Sequence, residues 1–215
     1  MKRYISFVLP TYNEENNIIP IIKEILELNN FYEIEILVVD DDSKDNTQNL
    51  VREFSKTNRN VRLISRVGRS GLSSALKEGC LNATGEIIAI MDSDGQHEVH
   101  SVYEGCHYLL NNDIDIIIGS RFLEKSSIDG LSARRKKGST LVNTFLRKTL
   151  RNNHKKITDS LSGCFVFKRR SFQFVSRVRI LFITSFVIIV ILFLTISNGL
   201  TILPPSLHIR ISFSA

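Results

Sequence analysis

The 215-residue chain has little cysteine: Cys80, Cys106 and Cys164 stand far apart, odd in number and without CxxC spacing. That set indicates neither a disulfide framework nor a zinc site, and it points to a reducing compartment. No signal peptide is expected, because Met1 to Tyr4 leads straight into a strand pattern. An amino-terminal domain is therefore expected on the cytoplasmic side. Acidic side chains are scarce in the second half. Residues 121–215 hold 17 basic and 3 acidic residues against 11 and 19 in residues 1–120, a division that the net charge of +6 hides. The basic residues cluster at 134–137, 147–156 and 168–179, which suits anionic lipid headgroups or a phosphorylated acceptor; a solvated basic surface is the plainer reading. No basic stripe interleaved with aromatics accompanies this charge, so nucleic acid is not an expected partner.

What the first half does have is two acidic segments, each where a buried strand runs out. Asp40, Asp41 and Asp42 follow Ile36 to Val39, and Asp92 and Asp94 follow Ile87 to Met91. In an open parallel sheet, ligands bind outside the carboxyl ends of the strands. Two such ends side by side would make an acidic pocket. Crowded carboxylates repel unless a cation or hydrogen-bond donors offset them, and hard oxygen ligands favour Mg²⁺ or Mn²⁺.

The length allows one α/β domain with a full core plus a small appendage. Strands are expected at Tyr4 to Leu9, where Pro10 stops the run, and at Ile34 to Val39, Val61 to Ser65, Ile87 to Met91 and Asp115 to Gly119. Helices are expected over about Asn17 to Asn29, with Pro20 in the first turn, from the caps Ser43, Asp45 and Asn46 to about Thr57, and over Gly71 to Asn82 and Val99 to Leu110. The alternation predicts a mostly parallel sheet with helices on both faces. Phe122 to Lys137 reads as a long polar loop of the functional kind.

Residues 1–175 are thus expected as one domain. Residues 180–203 run 24 positions without a charged side chain, enough for one membrane-spanning helix with Arg177 and Arg179 on its cytosolic flank and a short tail at 204–215. A buried hairpin or core helix is the alternative, favoured by the β-branched content and by Asn198 and Gly199.

Six segments then fall in one order: FVLPTYNEENNI at 7–18, ILVVDDDSKDNT at 36–47, GLSSALKEG at 71–79, GEIIAIMDSDGQH at 85–97, DIIIGSRF at 115–122 and SGCFVFKRR at 162–170. Together they resemble inverting GT-A glycosyltransferases of the dolichol-phosphate mannosyltransferase type, including bacterial polyprenyl-phosphate sugar transferases. The resemblance implies a GT-A, Rossmann-like fold and transfer of a mannose- or glucose-class sugar from a nucleotide-diphosphate sugar to a polyprenyl or dolichyl phosphate at a membrane. It implies Mg²⁺ or Mn²⁺ on Asp92 and Asp94 with Gln96 in support. A DxD spacing lets both carboxylates face one site while the chain stays extended, with Ser93 between them. By the same resemblance Pro10, Tyr12 and Glu14 line the nucleotide pocket, Val39 and Asp41 contact base or ribose, Arg121 engages the donor phosphates, and Arg134 and Arg135 are candidates for the acceptor phosphate. Asp42 stands where family members commonly carry Gly or Asn. A lipid phosphate is already an oxyanion, so no general base is required.

After Lys168 to Ser171 the resemblance stops. A shortened transferase with one membrane anchor and a catalytically impaired nucleotide-binding remnant both stay open, as does a saccharide hydroxyl acceptor. ILVVDDDS with Asp92 and Ser120 also has a superficial likeness to phosphorylated receiver domains. PTYNEE before the acidic cluster, and the lack of a lysine-bearing strand after Ser120, speak against it.

Overall fold

The computed structural model describes residues 4–94, 99–112, 115–118 and 164–172. Strands β1 (Tyr4–Thr11), β2 (Glu33–Asp40), β3 (Val61–Ser65), β4 (Ile87–Ile90), β5 (Ile116–Ile118) and β6 (Phe165–Lys168) form, among the described residues, one six-stranded sheet in the order β3-β2-β1-β4-β6-β5. Helices α1 (Ile18–Glu27), α2 (Thr47–Thr57), α3 (Leu72–Asn82) and α4 (Val99–Asn111) connect the strands, and a 3₁₀ turn at Leu28–Asn30 follows α1.

Side chains alternate across each strand, so each strand feeds two cores. Phe7 and Leu9 of β1 and Ile36 and Val38 of β2 pack against Ile22 and Ile25 of α1, Val51 of α2 and Cys106 of α4. Val8, Leu37 and Val39 point the other way, onto Ala75, Leu76 and Cys80 of α3. With both faces covered, β1, β2 and β4 read as nearly unbroken apolar runs. Burial pushes the thiols of Cys80 and Cys106 upward, and burial followed by the negative charge of Asp92 raises Cys164 to about 12. All three cysteines are buried thiols outside any disulfide, and they act as core residues.

The structure departs from the expected elements in two places. Pro10 does not stop β1, which continues to Thr11. The Thr11 carbonyl accepts from the Asp41 N–H on the β2 side, so alternation turns Pro10 toward β4. The β1–β4 pairing has already ended at Val8 opposite Ile90, and a missing N–H there breaks no ladder bond. The second departure is β6, which runs antiparallel between β4 and β5, pairing Ile88 with Phe167 and Ile117 with Val166. The sheet is therefore mixed.

At the end of the sheet away from the candidate site, Glu35 is 5% exposed. Its carboxylate accepts from Ser6 Oγ at 2.5 Å, from Thr84 N and Oγ1 at 3.0 and 3.1 Å, and from Arg62 at 2.5 Å. Burial opposes its ionised form, but the donors from Ser6, Thr84 and Arg62 outweigh burial and hold it below the ordinary 4.5. Glu35→Ala strands these donors and is expected to lower stability at neutral pH by about 2–3 kcal/mol, read by urea unfolding. Because the folded value is depressed, the advantage over the variant is full above 4.5 and fades as pH falls through the folded value.

Candidate functional site

Strand order decides where the acidic segments meet. β1 lies between β2 and β4, so the segments do not adjoin, as a pair of neighbouring strand ends would. Two strand spacings, about 10 Å, separate them, with the turn after β1 between. The chain runs outward from β1 to β2 and β3 on one side and returns to β4 on the other. That places the topological switch, where such sheets form a crevice, between β1 and β4.

A cleft of about 250 Å³ opens there, lined by Pro10, Thr11, Tyr12, Glu14, Asp41, Leu72, Ala75, Asp92, Ser93 and Asp94. Of the residues singled out in the sequence, Pro10, Tyr12, Glu14, Asp41, Asp92, Ser93 and Asp94 come together on its wall. Tyr12 is 57% exposed and offers a free ring face. The Val39 side chain is fully buried beneath α3, so only its backbone could serve a ligand. Gln96, Arg121, Arg134 and Arg135 lie outside the described residues, as does the apolar run 180–203. Among the described residues no helix is long and apolar enough to cross a membrane.

The three consecutive aspartates after β2 have three different fates. Asp40 is fully buried and accepts from Thr11 Oγ1 at 3.0 Å, Ser43 N at 2.9 Å, Ser43 Oγ at 2.6 Å and Gln48 Nε2 at 2.7 Å. Its lone pairs hold the loop together. Asp42 has φ of 60°, a left-handed conformation that Gly or Asn adopts more readily, and it pairs with Lys44 at 2.7 Å. The Lys44 hydrogen bond holds its carboxyl below the usual range. The extra charge is thus turned outward and locally neutralised. Asp41 alone faces the cleft.

The turn after β1 is laced to the turn after β2 by backbone-to-side-chain bonds. Asn13 N donates to Ser43 Oγ at 2.8 Å, Glu14 N to Thr47 Oγ1 at 2.9 Å, and Lys44 N to Asn13 Oδ1 at 2.8 Å. Asn46 N donates to Glu15 Oε2 at 2.9 Å. PTYNEE and DDDSKDNT therefore make one rigid lip rather than two loops, and Asn and Asp tolerate the turn geometry that this needs.

Across the cleft, Ser93 is 3% exposed and donates from Oγ to the Pro10 carbonyl at 2.7 Å. With Ser93 turned inward, Asp92 and Asp94 both stand on the cleft wall. Their oxygens are of the hard kind that suits a divalent cation. Among the described residues no group of three or more His, Cys, Asp or Glu converges as a cation site. Two carboxylates with a phosphate-bearing ligand and water fit Mg²⁺ or Mn²⁺, which keep few protein ligands in such sites.

The profile of Glycosyl transferase family 2 matches residues 6–175, which take in all of this sheet but the first two residues of β1. The chain belongs to glycosyl transferase family 2. This family 2 chain is 30% identical over 158 residues to the dolichyl-phosphate beta-glucosyltransferase ALG5D of Trichomonas vaginalis, covering 68% of the chain and 45% of that relative. It is 32% identical over 168 residues to the dolichol-phosphate mannosyltransferase of Pyrococcus furiosus, covering 77% and 46%. The chain thus spans about half the length of these relatives. Glucosyl-3-phosphoglycerate synthase of Mycobacterium tuberculosis, solved with Mn²⁺, UDP and glucosyl-3-phosphoglycerate, superposes with a TM-score of 0.60 at 24% identity, over 79% of this chain and 58% of that one. At that identity the likeness shows the fold, an α/β GT-A sheet flanked by helices.

The sequence reading of this family 2 domain missed Arg66. It stands at the carboxyl end of β3, is 2% exposed, and pairs with Asp41 and, at 3.2 Å, with Glu78 of α3. The signal was present: the strand-end rule that singled out Asp41 and Asp92 applies equally to the residue after Ser65.

Proposed function

We propose that this chain carries the donor-binding domain of an inverting, divalent-metal-dependent glycosyltransferase that moves a mannose- or glucose-class sugar from a nucleoside diphosphate sugar to a polyprenyl or dolichyl phosphate. The observation that supports it is the cleft at the β1/β4 switch, with one acceptor carboxylate, Asp41, on one wall and the pair Asp92 and Asp94 on the other. The two walls suit the two ends of such a donor, and the names of the relatives supply the acceptor class.

Asp41 can only accept, so facing the ring nitrogen of the base it would favour the N–H of uracil N3 or guanine N1 over cytosine N3 or adenine N1, which present a lone pair there. Tyr12 offers its ring face to base or ribose. Asp92 and Asp94, with Gln96, are the groups that would hold Mg²⁺ or Mn²⁺, whose charge, when bound, offsets that of the departing diphosphate. Asp94 and Arg121 are the residues proposed to act on the reacting phosphates, and Arg134 and Arg135 to clamp the acceptor. The roles of Gln96 and the three arginines rest on the family resemblance. The acceptor oxyanion attacks the anomeric carbon as the nucleoside diphosphate leaves, with inversion and no covalent intermediate. A membrane-bound acceptor places the enzyme at a membrane, with residues 180–203 as its anchor and this domain on the cytoplasmic side.

Membranes containing the full chain, given radiolabelled GDP-mannose or UDP-glucose, Mn²⁺ or Mg²⁺ and a polyprenyl phosphate, are expected to move label into the organic phase. The label should vanish with EDTA, and unlabelled UDP or GDP should compete at least tenfold better than CDP or ADP, about 1.4 kcal/mol. No label from either donor with either metal overturns the proposal for these substrates, and equal competition by CDP overturns the role of Asp41.

A further inference from the structure

We propose that Arg66 is a positioning residue for nucleobase recognition, gripping Asp41 so that its carboxylate meets the base in one fixed orientation. The inference rests on the reading of the cleft as a nucleotide-sugar site. A guanidinium withdrawn from water is costly unless nearly all of its donors are met. Those of Arg66 are met from three elements. Nη1 donates to Asp41 Oδ1 and to the Gly71 carbonyl at 3.4 Å, Nη2 donates to Ser74 Oγ, and Nε donates to Glu78 Oε2 at 3.2 Å.

Asp41 is held at both oxygens, because the Gly71 N–H donates to Oδ2 at 2.7 Å while Arg66 takes Oδ1. Two donors from two elements fix the carboxylate plane. Each oxygen keeps a further lone pair. The Asp41 side chain is 12% exposed, and it lies on the cleft wall. Its remaining acceptor capacity therefore belongs to a ligand.

A purely structural staple between β3 and α3 does not account for this arrangement. Arg69 also pairs with Glu78, at 3.0 Å, Ser74 Oγ donates to the Gly71 carbonyl at 2.8 Å, and Ala75, Leu76 and Cys80 pack α3 onto the sheet. Helix α3 is thus attached several times over. Arg66 alone among these residues donates to Asp41 Oδ1 and to Ser74 Oγ, and of the two acceptors only Asp41 lies on the cleft wall; a lysine lacks the planar fork that joins Asp41, Ser74 and Glu78 at once.

A double-mutant cycle on the full chain tests the inference. Arg66→Lys, Asp41→Asn and the double variant are titrated with UDP and GDP in the presence of Mn²⁺, and separately with Mn²⁺ and inorganic pyrophosphate. Arg66→Lys is expected to raise the Kd of the nucleotide by about tenfold or more, to leave the pyrophosphate Kd unchanged, and to cost nothing further in the Asp41→Asn background. The pyrophosphate arm keeps the test decisive for a destabilised variant, since a chain folded well enough to bind it must still fail on the base. Unchanged nucleotide affinity in Arg66→Lys, equal loss in both backgrounds, or parallel loss of pyrophosphate overturns Arg66 while leaving the site reading intact. A wild-type chain that binds neither UDP nor GDP overturns both.

Discussion

Asp94→Ala is expected to weaken Mn²⁺-dependent nucleotide binding by about 100-fold or more. Asp94 is exposed on the cleft wall, with Ser93 turned away beneath it to the Pro10 carbonyl. Among the described residues it is one of two carboxylates on this side of the cleft, so its removal halves the anionic oxygen set that they offer to the cation. Changes merely adjacent to a metal ligand typically cost about 10–100-fold in affinity or activity, and loss of a ligand itself belongs at or beyond the top of that range. Isothermal titration of UDP and GDP with Mn²⁺ and again with EDTA checks it. In the variant the two titrations should converge, because binding falls to what Asp41 and Tyr12 hold without the cation. A variant whose binding still depends on Mn²⁺ as strongly as wild type would remove Asp94 from the site.

The second large effect is on stability. Gly79 lies on the face of α3 that packs on the sheet, where an added Cβ would meet Val8 Cγ1 at 2.4 Å and Val39 Cγ2 at 3.0 Å. Both valines are fully buried and β-branched, so neither can swing aside. Gly79→Val is expected to cost about 3 kcal/mol, the upper end for overpacking, and to lower the melting temperature by about 6–12 °C. Gly79→Ala should cost less, since about 1 kcal/mol of helix propensity offsets part of the clash. The same displacement lifts the amino-terminal turn of α3, which brings Leu72 and Ala75 to the cleft, so nucleotide affinity should fall with stability. Differential scanning calorimetry with and without UDP or GDP reads both effects. A melting temperature within about 2 °C of wild type would mean that the helix rides over the strands without strain.

Much of this was legible in the residues. The period of apolar positions located β3 at Val61–Ser65 and placed Pro20 in the first turn of α1. The strand-end aspartates led to Asp41, Asp92 and Asp94 because a parallel sheet gathers its carboxyl ends on one edge. What was not legible was partnership. DDD reads as three equivalent charges, and the fold gives one to the loop, one to Arg66 and the cleft, and one to Lys44. SGCFVFKRR carries a match to the family, yet nothing in its spacing announces an antiparallel strand inserted between β4 and β5. Its pairing with β5 closes over nearly fifty intervening residues and that with β4 over more than seventy, and only the completed edge of β4 specifies it.

The sequence by itself determined the alternation of strands and helices, the family, and the residue types on the candidate site, because these follow from local periodicity and from short motifs whose chemistry is carried by neighbouring residues. Only the tertiary structure decided that β1 stands between the two acidic segments, that Val39 lies under α3, and that Arg66 holds Asp41. Those outcomes depend on contacts between segments distant in the chain, where burial and hydrogen-bond satisfaction, rather than local pattern, choose the partner.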